Sequence, residues 1–337
     1  MSAQIIDGRA IAAQVYSELT TRVAVLKAKG VIPRVAIIHV GTEEMTKRYV
    51  TLKENAAIRL GMECVTYHLV EDVSQQRVIE LVQKLNADES VHGILVQMPL
   101  PDSMDTKTVL DAIDPEKDID GLHFCNAGKL LNGEPAVIAC TPRAVIRILD
   151  ETGIDIMSKH TVVVGKSVLV GRPIAICLLN RNATVSVCHT KTQNLGDITK
   201  NADILIVAAG SAGLIKADMV KDGAVVIDIG QTNIDGKLYG DVDFENVSKK
   251  SKLYHKSCRR CGSDDRCNAH DEPCGLRGTR AECTECKVNE LLKLPTALQS
   301  IERIIKFLKQ KPERAENTKP GRTAKSPEGL PNKTGNL

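Results

Sequence analysis

Apolar residues recur with two different periods along roughly the first 250 positions, and the alternation of those periods predicts the architecture. Ile11, Val15, Leu19 and Val23 stand four apart, which predicts a helix whose first N–H groups Asp7 is placed to cap. The sequence then predicts a strand over 34–40, a helix over 43–59, an alternating strand over 62–69, a helix over 74–85 and a buried strand over 92–97. Further strands are expected at 161–164, 183–188, 203–208 and 224–229, with helices between them. Strands separated by helices imply parallel pairing, with helices covering both faces of each sheet. Two stretches, 115–121 and 133–142, interrupt this grammar and are expected to carry the chain between two α/β lobes. A cleft between such lobes is where a two-substrate site belongs.

Composition narrows the class. The 337 residues suffice for two domains with proper cores, and 42% hydrophobic with 26% charged residues describes an ordinary water-exposed protein. A net charge of +3 gives no case for nucleic-acid or membrane binding, and 2% aromatic residues without Trp argue against base-stacking surfaces. The first residues lack a basic-then-apolar signal pattern and no apolar run reaches spanning length, so a cytoplasmic location is the expectation. Five cysteines (Cys64, Cys125, Cys140, Cys177 and Cys188) are scattered and read as small buried hydrophobes. The other six crowd into 258–286, which marks a boundary at about Lys250.

Candidate chemistry lies at strand ends. The run Thr161-Val-Val-Val-Gly165-Lys166-Ser167-Val-Leu-Val-Gly171-Arg-Pro173 is a strand, a glycine turn and a helix start, a Rossmann-like unit that can seat a phosphate-bearing cofactor. Its glycines are six apart, unlike the usual G-x-G-x-x-G, so a plain strand-to-helix turn is the alternative. The next strand ends in Cys188, His189, Thr190 and Lys191 with no acid to grip a ribose 2′-hydroxyl, which favours NADP over NAD. A solvated polar turn is the bland reading of the same residues. In the first lobe, Tyr49 and Lys53 share one helix face, and Gln97 ends a strand that Met98-Pro-Leu-Pro101 stops abruptly. Asp118 and Asp120 follow in a loop. Singly, each has a dull explanation: an exposed helix pair, or turn caps.

Five motifs in register carry a resemblance. Tyr49-Val-x-x-Lys53, Gly93-Ile-Leu-Val-Gln97-Met-Pro-Leu-Pro101, Pro115-x-Lys-Asp-x-Asp120-Gly, Cys140-Thr-Pro142 and Gly165-x-Ser-x-x-Val-Gly171-x-Pro173 occur in order. Over about residues 1–250 the chain resembles the bifunctional methylenetetrahydrofolate dehydrogenase/cyclohydrolase (FolD) family. The resemblance implies a folate-binding catalytic domain over 1–140 and a Rossmann-like NADP domain over 141–250. It also implies a homodimer and two reactions in one cleft. Methylenetetrahydrofolate is oxidised with NADP, then the methenyl product is hydrolysed to 10-formyltetrahydrofolate. By that analogy Lys53 is the general acid/base, Gln97 holds it partly neutral, Tyr49 stacks on the folate and Asp120 hydrogen-bonds the pterin. An ordinary lysine is a poor base at neutral pH, so this role needs a cationic substrate and partial burial. Gly165, Lys166, Ser167, Thr190 and Gln231 would line the cofactor. Two small departures are Asn55, where many relatives carry a second lysine, and Gln231, where they often carry isoleucine.

The large departure is the tail. The family typically continues G-G-V-G-P-M-T-V-A-T-L, a loop beside the nicotinamide and a helix returning to the first lobe, and nothing like it occurs here. Codons for that segment, read one base earlier, permit Arg-Arg-Cys-Gly-Ser-Asp-Asp-Arg-Cys-Asn-Ala, which is the sequence from Arg259 to Ala269. Asp265 is forced whatever the free bases are. A one-base shift near codon 251 is therefore the reading of this tail, with weakened dehydrogenase activity as its expected consequence. The rival reading is a zinc ribbon, Cys258-x-x-Cys261 with Cys283-x-x-Cys286, in a non-catalytic scaffold carrying an interaction module. The tail divides into a Cys-rich segment at 251–290, an expected amphipathic helix at 291–310, and a disordered polar end at 311–337.

Overall fold

A computed structural model describes residues 3–235 and 237–256. The expected Cys-rich segment, including Cys258, Cys261, Cys283 and Cys286, the amphipathic helix and the polar end lie outside the described residues.

The chain opens with β1 (Gln4–Ile5) and α1 (Gly8–Ala28), and the Asp7 carboxylate accepts from the Arg9 and Ala10 N–H groups as its pattern predicts. The first lobe then runs β2 (Arg34–Val40), α2 (Glu44–Arg59), β3 (Glu63–Leu69), α3 (Gln75–Ala87), β4 (Gly93–Val96), α4 (Thr106–Asp111) and α5 (Phe124–Leu131). Its sheet is all parallel in the order β3-β2-β4. Helix α6 (Cys140–Glu151) crosses to the second lobe, and Pro142 fits its first turn, where no intrahelical N–H is needed.

The second lobe follows as β5 (His160–Val164), α7 (Gly171–Leu179), β6 (Thr184–Cys188), α8 (Leu195–Thr199) and β7 (Ile204–Val207). A 3-10 turn (Ala217–Met219), β8 (Val225–Asp228), the hairpin β9 (Thr232–Ile234) and β10 (Lys237–Tyr239), α9 (Phe244–Val247) and β11 (Leu253–Lys256) complete it. Six strands pair in the order β1-β11-β8-β7-β5-β6, every pair parallel. This sheet runs past the boundary expected at Lys250, because β11 still pairs with β8. It also takes in β1 from the opposite end of the chain.

One apolar layer serves both lobes. Leu19, Val23 and Leu26 of α1 pack in a single cluster with Val35, Ile37 and Leu95 of the first sheet. Val145, Ile148 and Leu149 of α6, and Val163, Ile206 and Ile227 of the second sheet, belong to the same cluster. Each fully buried side chain of this size contributes about 1.5–3 kcal/mol, so the lobes are joined through a core. Arg147 of α6 adds ion pairs to Glu18 of α1 and to Glu151, each at 2.7 Å. Separate clusters cover the outer faces of the two sheets. The scattered cysteines are less uniform than expected: Cys177 and Cys188 are buried, whereas Cys64, Cys125 and Cys140 are half-buried. No helix among the described residues is long and apolar enough to cross a membrane.

His255 of β11 is 1% exposed, and neither ring nitrogen has a hydrogen-bond partner among the described residues. Burial pushes its pKa down to about 4 from 6.5. The unfolded chain therefore binds a proton between those values that the folded chain refuses, and stability falls as pH drops through that window. Asp228 acts in the opposite sense. Burial raises its carboxyl to about 7, so its contribution is present at low pH and is lost as pH rises towards 7. His255→Leu removes the first effect alone. Melting curves of the variant and the parent should show a small rise in Tm at about pH 7.5 and a larger one at about pH 5. Equal gains at both pH values would rule out the buried imidazole as the source.

Candidate active site

The carboxyl ends of the two parallel sheets face one cleft of about 370 Å³. Tyr49 and Lys53 reach it from α2, and Gln97 and Met98 from the end of β4, where the chain turns off through a cis bond to Pro99. Cys140 and Thr141 come from the start of α6. The opposite wall is Ser167, Leu169 and Val170 after β5, Ala208 and Gly210 after β7, and Ile229, Gly230 and Gln231 after β8.

Four of the expected first-lobe residues are brought together. Lys53 Nζ donates to Gln97 Oε1 at 3.1 Å, and Gln97 Nε2 donates to the Met98 carbonyl at 2.7 Å, which fixes the amide's orientation. On its other side Lys53 Nζ stands 3.9 Å from Asp120 Oδ2, both side chains being nearly buried. Tyr49, one helical turn before Lys53, lines the same cleft. Asp118 holds this arrangement from below. Its carboxylate accepts from the Asp120, Gly121 and His123 N–H groups and from Asn126 Nδ2, so it is a structural clasp. Asp120 is different: its Oδ1 is buried with no partner among the described residues. Burial raises its pKa, the Lys53 ammonium opposes that, and the Asp118 charge adds to it. A cation, an amide and an unsatisfied buried carboxyl make a site that can exchange a proton and accept a polar heterocycle.

The second-lobe residues sit on the opposite rim. Gly165 has φ +131°, and a Cβ there would strike the Ala208 carbonyl. A Cβ on Gly171 would strike the Gly165 carbonyl. The strand end, the turn and the start of α7 are thus packed backbone against backbone, a cradle only glycine permits. Ser167 Oγ accepts from the Val170 and Gly171 N–H groups at 3.2 and 3.3 Å and so caps α7. Lys166 is exposed. Thr190 is exposed and is not among the residues lining the cleft, but it follows β6 directly, and the Gly165 N–H to Cys188 carbonyl bond of 2.8 Å joins the two strand ends. Gly165, Lys166 and Thr190 therefore share one rim of the sheet. The geometry fits a phosphate-bearing cofactor: a tight backbone approach, a helix N-terminus and an exposed cation, with no carboxylate at the end of β6.

The sequence reading missed Met98, Cys140, Thr141, Leu169, Val170, Ala208, Gly210, Ile229 and Gly230 as lining residues. The available signal was positional, since several of them stand just past predicted strands, where parallel sheets present ligands. Among the described residues no group of three or more His, Cys, Asp or Glu side chains could hold a metal ion.

Two facing parallel sheets, one ending in a glycine cradle and the other in a Lys–Gln–Asp cluster, define a two-lobed dinucleotide-binding α/β protein. The chain belongs to the tetrahydrofolate dehydrogenase/cyclohydrolase family. Residues 6–120 match the profile of that family's catalytic domain, and residues 139–259 match its NAD(P)-binding domain. The bifunctional protein FolD of Methanococcoides burtonii is 48% identical over 249 residues, covering 74% of this chain and 87% of that protein. FolD of Campylobacter concisus is 46% identical over 248 residues, covering 73% and 88%. The crystal structure of FolD from Campylobacter jejuni superposes with a TM-score of 0.80 at 36% identity, covering 91% of this chain and all (100%) of that one. The Trypanosoma brucei enzyme, solved with NADP and an inhibitor, superposes with a TM-score of 0.77 at 33% identity, covering 90% and 99%.

Gly165→Ala should destabilise the second lobe by about 2 kcal/mol or more in urea titration, from the collision with Ala208 together with backbone strain. Gly153→Ala carries left-handed strain (φ +63°) in open space, so it should lose clearly less. Similar losses for both would mean that the cradle is not tightly packed.

Proposed function

We propose that this chain is an NADP-linked folate enzyme. It oxidises 5,10-methylenetetrahydrofolate to the methenyl form and hydrolyses that to 10-formyltetrahydrofolate, a step in one-carbon metabolism. The observation that carries the reading is Lys53 Nζ, held between Gln97 and Asp120 in the cleft that faces the glycine cradle. Bound NADP supplies the hydride acceptor for the methylene carbon. The protein's own residues do the rest. Tyr49 offers a ring face for the folate heterocycle, and Asp120, with one carboxyl oxygen unpaired, accepts from its N–H groups. In the hydrolytic step Lys53 takes a proton from the water attacking the methenyl carbon and returns it to the departing ring nitrogen. Gln97 accepts from Lys53 and keeps the amine aimed at that carbon.

Gly165, Lys166, Ser167, Thr190 and Gln231 are the residues proposed to hold the cofactor. The exposed Lys166 and Thr190 on one rim, without an acid after β6, support NADP over NAD. A homodimer and a cytoplasmic location belong to the same reading. The tail supports the one-base shift, because the family profile ends at residue 259 and the match to the Methanococcoides protein leaves part of that protein uncovered. Sequencing the coding DNA across codons 245–290 should show G-G-V-G-P-M-T in the neighbouring frame. A frame without that reading would make the tail the protein's own.

Lys53→Met should lower methenyltetrahydrofolate hydrolysis by about 10²–10⁴-fold, the range of general acid–base catalysis, with a much smaller effect on NADPH formation. Parallel assays of the two activities read this split. A variant that hydrolyses as fast as the parent would remove Lys53 from the mechanism.

A further inference from the structure

The wall of the cleft opposite Lys53 includes, beside the segment after β5, two loops, 208–211 after β7 and 229–231 after β8. Both loops rest on one carboxylate that does not line the cleft. Asp241, completely buried, accepts from three successive N–H groups: Ala209 at 2.6 Å and Gly210 at 2.8 Å through Oδ2, and Ser211 at 2.7 Å through Oδ1. Three converging amides form an anion nest, filled here by the protein's own side chain. The same carboxyl lies directly against Gly230, where a Cβ would collide with it, so it also sets the position of the second loop.

Asp241 is itself held from behind. Its N–H donates to Asp228 Oδ1 at 3.1 Å, and the Val242 N–H donates to Asp228 Oδ2 at 3.2 Å. The Gly230 N–H donates to Asp228 Oδ1 at 3.1 Å, so Asp228 links the same two segments a second time. Gly240 admits Asp228 as Gly230 admits Asp241, by having no Cβ to strike it. Two buried carboxylates and two glycines thus interlock behind the cleft wall. Buried carboxylates without a cation are expensive unless their oxygens are satisfied; here the wall's N–H groups satisfy Asp241, and those of Gly230, Asp241 and Val242 satisfy Asp228. The wall and the pair hold each other in place.

We propose that Asp241 is the positioning residue of the cofactor wall, so that dinucleotide binding depends on it while hydrolysis, carried out by first-lobe residues, does not. This inference rests on the functional reading given above. Asp241→Ala leaves three N–H groups without an acceptor and frees both loops. In titration calorimetry with NADP its Kd should rise by about tenfold or more, equivalent to about 1.4 kcal/mol. Its kcat/KM for methenyltetrahydrofolate hydrolysis should stay within about threefold of the parent. Asp241→Asn keeps one acceptor oxygen and should restore part of the affinity, which also covers the case in which the alanine variant fails to fold. Val226→Ala opens a cavity in the core of the same lobe. It should lower Tm while leaving the NADP Kd within about twofold, separating positioning from general loss of stability. NADP binding unchanged in both Asp241 variants, or weakened equally by Val226→Ala, would overturn the inference alone. A parent chain that binds no NADP would overturn the functional reading and this inference with it.

Discussion

The apolar layer through α1 and α6 is the constraint on which the cleft depends. In the proposed reaction a proton-transferring group and a hydride acceptor must meet one substrate to within fractions of an ångström, yet the residues proposed to serve the two belong to different lobes. Because Leu19, Val145, Ile148 and Val163 belong to one continuous cluster, displacing one sheet against the other would mean breaking a core. Close-packed interiors resist such displacement. The Glu18–Arg147 pair is partly exposed and adds orientation more than energy. Rigidity between the lobes is therefore written into α1 and α6, the second of which reaches the cleft at Cys140 and Thr141.

Each wall of the cleft is tied by a buried carboxylate to main-chain N–H groups, Asp118 in the first lobe and Asp241 in the second, and the walls differ in what else holds them. In the first lobe Gln97 clamps the Lys53 side chain. In the second, backbone packs on backbone where glycine allows close approach. The difference suits the ligands. A heterocycle needs a few directed polar groups, whereas a dinucleotide runs along several strand ends and needs a smooth backbone surface. On the proposed reading it also separates the consequences of damage, since side-chain loss on one wall would remove chemistry and loosening of the other would remove affinity.

Much of this was legible in the sequence, for reasons that differ by element. The strand over 34–40 was read to the residue, because a run buried on both faces is mostly apolar, here from Val35 to Ile38, and is bounded by Pro33 and Gly41. Lys53, Gln97 and Asp120 were found because their types and order match a family, and the structure brings Gln97 within hydrogen-bonding reach and Asp120 within ion-pair reach of Lys53. The pairing of β1 with β11 was not legible. Two residues carry no period, and their partner is some 250 positions away. Helix α5 was missed because Phe124 and Leu131 stay exposed and blur its apolar face. The β9–β10 hairpin leaves a sequence signal in Asp235-Gly236, a dipeptide favoured between paired strands, and Asp235 has φ +51°. Asp241 left no sequence signal of its role, since its partners are main-chain N–H groups of a loop thirty residues earlier.

His255 shows the opposite kind of mismatch. In the second sheet the Thr161 hydroxyl of β5 is also buried without a partner among the described residues, but β11 buries a whole imidazole with two such nitrogens beside Asp228 and Tyr254. Local choices in a natural sequence normally agree with the fold around them, and a polar ring without a partner costs about 1–3 kcal/mol. Tyr254, by contrast, fits: its ring packs on Phe244 and its hydroxyl reaches the Asp228 carboxyl at 3.5 Å. Along β11, agreement between residue and environment therefore holds as far as Tyr254 and fails at the next position. The family profile ends four residues later, at 259. A chain whose reading frame changed near this point would lose its fit to the core in just this way, while the sheet, held by backbone pairing that no side chain alters, continues to Lys256.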